Sequence, residues 1–501
     1  MSLGGAQTWL GNLGAMWLDG APPLQAIGVL VAAVVGYTLY RTCRASDKRQ
    51  LPPMAPCSRM GALKAMTSPQ SMSFLAGYRD KVGCVFRMPM PMAEHYVVIG
   101  CPKLAREILE DVTTVKPDFL YADSEVLFGG ATSLFSARDH GNGSAWHTRR
   151  KAIAHSFHPK HVAAMNLSCA ACYESWISET LEPAAREGTV MDMSHELLLT
   201  TIKFICDAGF AAQVSTEAAQ ALLDDLECVM PVAFRIFPFV PFSARLWWTF
   251  PAGRACMAAT GRNQTFAQGM LEAYRALPAS RKEELAASLV AQVDANASYA
   301  SDLEKRAELL TFLVAGHDTT ALSVAWILYD LANSPAAQTE LRTQLLATPP
   351  SERAKIPLLA ACIKESMRLN PVAAGGSLRQ TTHDFTVGKH FVPKGALAHL
   401  PYGLIFTSDE HEAPLEFRPQ RWLEQDRSLV AKGPLVDGVF PFSLGRRNCV
   451  GQALAKAELY TVVPLLIKDY EWEVVCHPTA SLFLTNKPDG LRLRAKKATG
   501  G

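Results

Sequence analysis

A cysteine stands in the loop "FPFSLGRRNCVGQALAKAEL", residues 440–459, among glycines and arginines and directly before a run of good helix formers. A thiolate ligand must be deprotonated and kept from oxidation, and backbone N–H groups at a helix N-terminus help with both. Gly445 and Gly451 permit the tight turns that would aim such groups at Cys449, and Phe442 can shield the sulfur. Arg447, two residues away, can hold a carboxylate on the periphery of whatever the sulfur ligates. The chemistry implied is thiolate ligation; the competing reading is a buried structural cysteine.

A second group of polar residues lies in "FLVAGHDTTALSVAW", residues 312–326, on an otherwise apolar helix. Hydroxyls in such a place bond back to the preceding turn, and Thr319 bonding the Ala315 carbonyl would open the helix locally. His317 reads as a packing or polar-network residue. In "KESMRLNP", Glu365 and Arg368 are one helical turn apart and can pair. Trp146 and Arg150 in "WHTRRK" are four apart and share a face. His155, His158 and His161 lack an adjacent carboxylate or cysteine and read as a solvated helix end. Cys169 and Cys172 in "CAAC" have no second pair and read as core packing.

The pattern Phe-x-x-Gly-x-Arg-x-Cys-x-Gly, filled by Phe442, Gly445, Arg447, Cys449 and Gly451, resembles the haem-binding loop of the cytochromes P450. The 312–326 segment resembles the family's Ala-Gly-x-Asp-Thr-Thr. "EFRPQRW" resembles its Phe-x-Pro-x-Arg, with Gln420 where the family often has Glu. The resemblance runs in family order from Trp146 to Gly451. It implies haem b ligated through iron by the Cys449 thiolate, with Arg447, Trp146, Arg150 and Arg379 contacting the propionates. It implies that Asp318 and Thr319 form an acid–alcohol pair relaying protons to O2 chemistry, and that Glu365, Arg368 and Arg421 form a structural triad. A substrate pocket would take contacts from Ala315, Thr320, Val372, Ala373 and the loop from Phe119 to Phe135. Some fatty-acid ω-hydroxylases link haem covalently to a Glu where this chain has Ala315, and alanine cannot form that bond.

The fold so implied is mainly α with a minor β part, the cytochrome P450 fold, in a single large haem-binding domain over residues 58–497. The implied activity is a monooxygenase that inserts one atom of O2 into a lipophilic substrate, whether fatty acid, sterol, terpenoid or xenobiotic. Electrons would come from NADPH through NADPH-cytochrome P450 reductase, with cytochrome b5 a further partner. Arg446, Lys456 and the run Arg149–Lys151 would dock the acidic reductase. The alternatives are a P450-fold hydroperoxide isomerase or dehydratase, against which an intact Asp318–Thr319 pair argues, and a non-catalytic haem sensor, which would need the cysteine loop but not the proton relay; turnover with reductase separates them.

The elements that must position these residues are mostly helical. Periodicity marks helices over Ala218–Val229, Leu303–Asn333 and Gln452–Asp469, and short strands in "CVFRMPMP", "HYVVIG" and "FTVGKHFVPKG". The aromatic, proline-rich stretch 229–251 should break into short turns, either filling the core or dipping into a bilayer. In 501 residues, 49 Lys and Arg against 47 Asp and Glu leave no field to attract nucleic acid. Residues 24–40 carry no charge and are followed by Arg41, Arg44, Lys48 and Arg49. That pattern implies a single-pass anchor with a short lumenal segment 1–23, a basic and proline-rich hinge 41–57, and the rest of the chain on the cytoplasmic side; by the resemblance, the membrane is the endoplasmic reticulum's. The 12 scattered cysteines read as reduced thiols rather than a disulfide framework.

Overall fold

A computed structural model of the chain describes residues 51–90, 93–117, 120–121, 125–138, 144–236 and 247–498. The expected anchor 24–40, its leader and residues 41–50 of the hinge lie outside the described residues, as do 237–246 of the aromatic stretch.

The principal helices are α1 (Pro102–Glu110), α2 (Ala145–Ser156), α3 (Pro159–Trp176), α4 (Met193–Phe210), α5 (Thr216–Pro231), α6 (Pro251–Ala276), α7 (Asp302–Ala332), α8 (Pro357–Leu369) and α9 (Gln452–Lys468). The three periodic segments read from the sequence correspond to α5, α7 and α9 within about two residues at each end. At the start of α7 the Ser301 side chain accepts from the Glu304 N–H, and Asp302 and Glu304 complement the dipole. It is the described helix long and apolar enough to cross a membrane, but 83% of its apolar window is buried inside the protein, so it is the core helix. α4 crosses it closely at Gly316, where a Cβ would lie 2.8 Å from Ile205.

Strands are short. β1 (Val85–Met88), β2 (Tyr96–Ile99), β7 (Leu397–Leu400) and β4 (Ser377–Gln380) form one sheet in that spatial order, with β2 and β7 parallel. β5 (Phe385–Val387) and β6 (His390–Val392) fall within the strand-like segment 385–395 and pair with each other as a hairpin. Near the C-terminus, β11 (Arg492–Lys497) lies between β3 (Val190–Asp192) and β8 (Tyr470–Cys476) and pairs with both, while β9 (Thr479–Leu482) and β10 (Asn486–Asp489) form a second hairpin.

Two expectations need correction. Cys84 and Cys101 form a disulfide rather than remaining thiols. The β1–β2 register, with Val85 opposite Ile99, brings the residues just outside it together, and nothing in a spacing of 17 announces that. Pro231 does not break its helix; α5 runs through it into a π turn at Val232–Ile236, which absorbs the missing N–H. Beyond the undescribed part, Trp247–Thr249 forms a 3-10 turn with Trp248 exposed.

Candidate functional site

The Cys449 N–H donates to the Phe442 carbonyl at 2.9 Å, pinning the cysteine to the start of its own motif. Gly445 sits at φ +68°, and a Cβ there would come within 2.3 Å of the Leu109 carbonyl oxygen at the end of α1, so glycine is required for the loop to rest on that helix. Cys449 is exposed by area, yet desolvation is the largest influence on its thiol, so the sulfur opens onto a concavity within the protein rather than an open outer face. Burial pushes the thiol above its ordinary value. The Gly451 N–H, at the start of α9, and the Arg150 charge pull the other way without overcoming it. Full ionisation is what a coordinated metal would add.

Arg150 braces the loop by donating to the Asn448 carbonyl at 3.0 Å and to the Asn448 side-chain oxygen. Arg447 stacks on Trp146 at 4.1 Å and donates to the carbonyls of Ala137 at 2.6 Å and Arg138 at 3.2 Å. Arg379 on β4 is buried and bonds the Tyr121 hydroxyl and the Leu378 carbonyl.

Lys116 was not singled out by the sequence. It is buried, its ammonium 4.1 Å above the Tyr121 ring and 4.4 Å above that of Phe135, and it donates to the Phe135 carbonyl. Burial, then the charges of Arg447 and Arg379, push it well below the usual lysine range. Cations gathered out of water are costly unless an anion joins them. Lys116, Arg379 and Arg447 therefore suit a group with two carboxylates. In "TVKPDF" no spacing flags the lysine; only the packing of four separate segments assembles the set.

On α7, every residue from Ala307 to Leu331 is buried or half-buried except Ala315, which is exposed. An exposed alanine in mid-core marks an interior cavity beside it. Phe157 stands 3.6 Å from the position of a Gly451 Cβ and 6.3 Å, ring to ring, from Phe312, so the cysteine loop and this part of α7 are one side chain apart. The Thr319 hydroxyl donates to the Ala315 carbonyl at 2.6 Å, the bond expected from the sequence. Asp318 accepts from the Thr485 hydroxyl, a partner the sequence did not suggest. Burial pushes its carboxyl up against the pull of His317 and Thr485. His317 itself is buried and bonded to the Leu313 carbonyl at 2.8 Å. Thr320 is buried and bonds Glu458 of α9. Val372 is half-buried, its carbonyl accepting from the Asn486 N–H at 2.7 Å, and Ala373 is half-buried beside it.

Glu365 and Arg368, both fully buried, form a bidentate pair at 2.9 Å, and the Arg421 Nε joins at 2.8 Å. Trp422 Nε1 and the Arg418 N–H each donate to the same carboxylate at 2.9 Å. Arg368 spends its remaining donors on the carbonyls of Phe406, Pro414 and Glu416.

Elsewhere, Arg149 is not an exposed docking residue: it is buried, bonded to Glu304 at 2.6 Å and to the carbonyls of Thr132 and Ser298. Arg446, Lys456 and Lys151 are exposed. Cys169 is buried, and Cys172 donates to the Thr200 carbonyl, so "CAAC" is core packing. Among the described residues no cluster of His, Cys, Asp and Glu could hold a metal ion, the His155–His161 end included.

A family model described as Cytochrome P450 matches residues 51–498. The chain is similar to cytochrome P450 4F5 of Rattus norvegicus, 28% identical over 361 residues, or 65% of this chain and 66% of that protein, just under two thirds of its length. It is similar to cytochrome P450 4F2 of Homo sapiens at 27% identity over 73% of this chain and 74% of that protein. A crystal structure of a cytochrome P450 (CYP102L1) shares the fold, with a TM-score of 0.73 at 20% identity over 90% of this chain and 100% of that one.

Proposed function

The chain belongs to the cytochrome P450 family, and from that premise we propose that it is a haem-thiolate monooxygenase. It inserts one atom of O2 into a lipophilic substrate and reduces the other to water, using two electrons from NADPH delivered through NADPH-cytochrome P450 reductase and two protons. The observation that carries this reading is a sulfur facing an interior concavity one side chain from an exposed alanine and its neighbouring acid–alcohol pair, with buried cations crowded beside the same loop.

Haem b would supply the iron at which O2 is activated. Cys449 would be its thiolate ligand, with Phe442 screening the sulfur and Gly445 and Gly451 shaping the loop. Arg379, Arg447 and Lys116 would take the propionates, with Trp146 stacked on Arg447 and Arg150 steadying the loop from α2. The chain's own chemistry concerns protons and shape. The Thr319 hydroxyl, its proton directed at the Ala315 carbonyl, keeps oxygen lone pairs turned away from the helix. Asp318, biased by burial toward its neutral form, can hold a proton, and its bond from Thr485 fixes where that proton sits. Glu365, Arg368 and Arg421 act as the brace.

A fatty acid is the first substrate to test, because "AGHDTTA" and "GRRNCVGQ" resemble the microsomal branch that contains fatty-acid hydroxylases; sterols, terpenoids and xenobiotics follow. We place the protein in the endoplasmic reticulum membrane through the 24–40 anchor, facing the cytoplasm.

The test is turnover of lauric acid in vesicles with reductase and NADPH. A hydroxylated product that requires both O2 and reductase supports the reading; rearrangement of a fatty-acid hydroperoxide without either would favour the isomerase alternative. Asp318→Asn and Thr319→Val should each lower product formation about a hundredfold while NADPH oxidation continues and peroxide is released. Unchanged coupling in both would remove them from the relay. A double reversal, Arg446→Glu with Lys456→Glu, should raise the reductase concentration needed for half-maximal turnover and leave the spectrum of the haem protein intact. An unchanged requirement would exclude this face as the dock.

A further inference from the structure

The segment 132–138 carries no sequence motif, yet charged side chains from four elements fasten its backbone. The Leu134 N–H donates to both oxygens of Glu308, at 3.0 and 3.2 Å. Arg149 of α2 takes the Thr132 carbonyl at 3.1 Å, Lys116 the Phe135 carbonyl, and Arg447 of the cysteine loop the carbonyls of Ala137 and Arg138. Ser133 and Ser136, both fully buried, close the turn on each other through their hydroxyls. The segment is a strap between the cation cluster and α7, and Phe135 is the side chain it displays. That ring packs on Tyr121 at 5.5 Å, Phe128 at 6.3 Å and Phe234, beyond the end of α5, at 6.1 Å.

Glu308 is the member of this set with the least reason to be where it is. It is fully buried on the core helix, two turns before Ala315 and on the same face. A carboxyl carried into the core is costly unless its oxygens are paired, and both oxygens of this one accept from the strap. Lys116 and Arg447 belong to the propionate cluster, whereas Glu308 touches the strap from the α7 side alone.

We propose that Glu308 is a positioning residue for the substrate pocket, latching the strap 132–138 to α7 and thereby holding Phe135 as part of the pocket wall. The proposal rests on the monooxygenase reading only for the word substrate; the latch itself is a property of the chain. Loss of the latch frees Phe135 and with it the packing on Phe128 and Phe234, so the shape offered to an apolar ligand changes without any change at Cys449.

Burial pushes the Glu308 carboxyl up from 4.5 to about 7, against the pull of the Leu134 N–H, Arg149 and Tyr299, with Glu304 adding to the rise. Opening the strap would hydrate the carboxyl and return it toward its ordinary value. The closed strap is then favoured at low pH and loses that advantage as pH rises from 4.5 through 7. Between pH 6 and 8 the opening equilibrium should grow by up to about tenfold on these two values.

Hydrogen–deuterium exchange of peptides spanning 131–138 in the purified holoprotein reads this directly, once corrected for the intrinsic pH dependence of exchange. In Glu308→Leu, exchange of the strap should rise at least tenfold while peptides of α8 and α9 stay as protected as before. In Glu308→Gln, whose amide oxygen still accepts from Leu134, protection should return and the rise between pH 6 and 8 should vanish. The same variants titrated with 4-phenylimidazole should bind it several-fold more weakly for Leu and nearly as the parent does for Gln. Unchanged strap exchange in a folded Glu308→Leu, or the parent's pH slope persisting in Glu308→Gln, would overturn the latch. If Glu308→Leu does not fold, the Gln variant decides alone through its slope. The reduced carbon-monoxide spectrum, taken on each sample, reports the haem reading separately, so the two can fail independently.

Discussion

Replacing Cys449 with serine is expected to abolish the red-shifted Soret band of the reduced carbon-monoxide complex and all monooxygenase turnover. The argument is one of donor chemistry. A serine hydroxyl fits the loop sterically, and the Phe442 carbonyl still accepts from the backbone N–H at position 449, so the fold should survive. The oxygen, however, is a harder and far less acidic donor than sulfur, and a thiolate is what pushes electron density toward O–O cleavage. Loss of the band with unfolding unchanged by circular dichroism would identify Cys449 as the ligand. A parent protein that binds haem but shows no red-shifted band would remove thiolate ligation, and the monooxygenase mechanism with it. A Gly445→Ala control should instead lower the yield of folded protein, because its Cβ meets the Leu109 carbonyl oxygen.

The second large effect lies away from the chemistry. Glu365→Ala is expected to cost ~3–5 kcal/mol of stability and to leave little holoprotein, since it strands the buried guanidinium of Arg368 and removes the acceptor for Arg421, Trp422 and the Arg418 N–H. Burial alone would push the Glu365 carboxyl up, but its bonds and charge interaction with Arg368, then the Arg418 N–H and Trp422, outweigh it and hold it below its ordinary value of 4.5. A depressed carboxylate stabilises the fold above its unfolded value and loses that contribution as pH falls through the lower folded one. The gap between parent and variant in denaturant unfolding should therefore be full at neutral pH and narrow only below about 4.5. Glu365→Gln, which keeps two acceptor positions' worth of shape but no charge, should fall between. A folded Glu365→Ala within about 1 kcal/mol of the parent would mean that the triad is not the brace it is proposed to be.

The fold class and the path of the core were legible because they depend on short-range periodicity. α5, α7 and α9 announce themselves as apolar stripes between caps, and the β1–β2 and β5–β6 hairpins as alternating runs. The cysteine loop was legible for a related reason: the residues that shape it lie within ten positions of one another, so spacing encodes geometry. The Thr319–Ala315 bond is of the same kind, a contact four residues apart that helix geometry dictates. Pro231 misled because a proline at the last turn of a helix can be followed by a π turn, as here at Val232–Ile236.

By itself, then, the sequence determined that the segments of α5, α7 and α9 are helical, that Cys449 sits in a glycine-shaped loop before a helix, and that Asp318 and Thr319 lie on the core helix two and three residues past its glycine. Only the tertiary structure decided that Lys116 joins Arg379 and Arg447, that Thr485 bonds Asp318 from 167 residues away, and that Glu308 reaches Leu134 across 174. It also moved Arg149 from the surface to a buried pair with Glu304 and closed Cys84 onto Cys101. The physical reason is common to all of these. Local patterns fix the direction of a side chain from its own element, whereas a buried charge or hydroxyl must be satisfied by whatever packing brings within reach, and those partners come from parts of the chain that share no period with it.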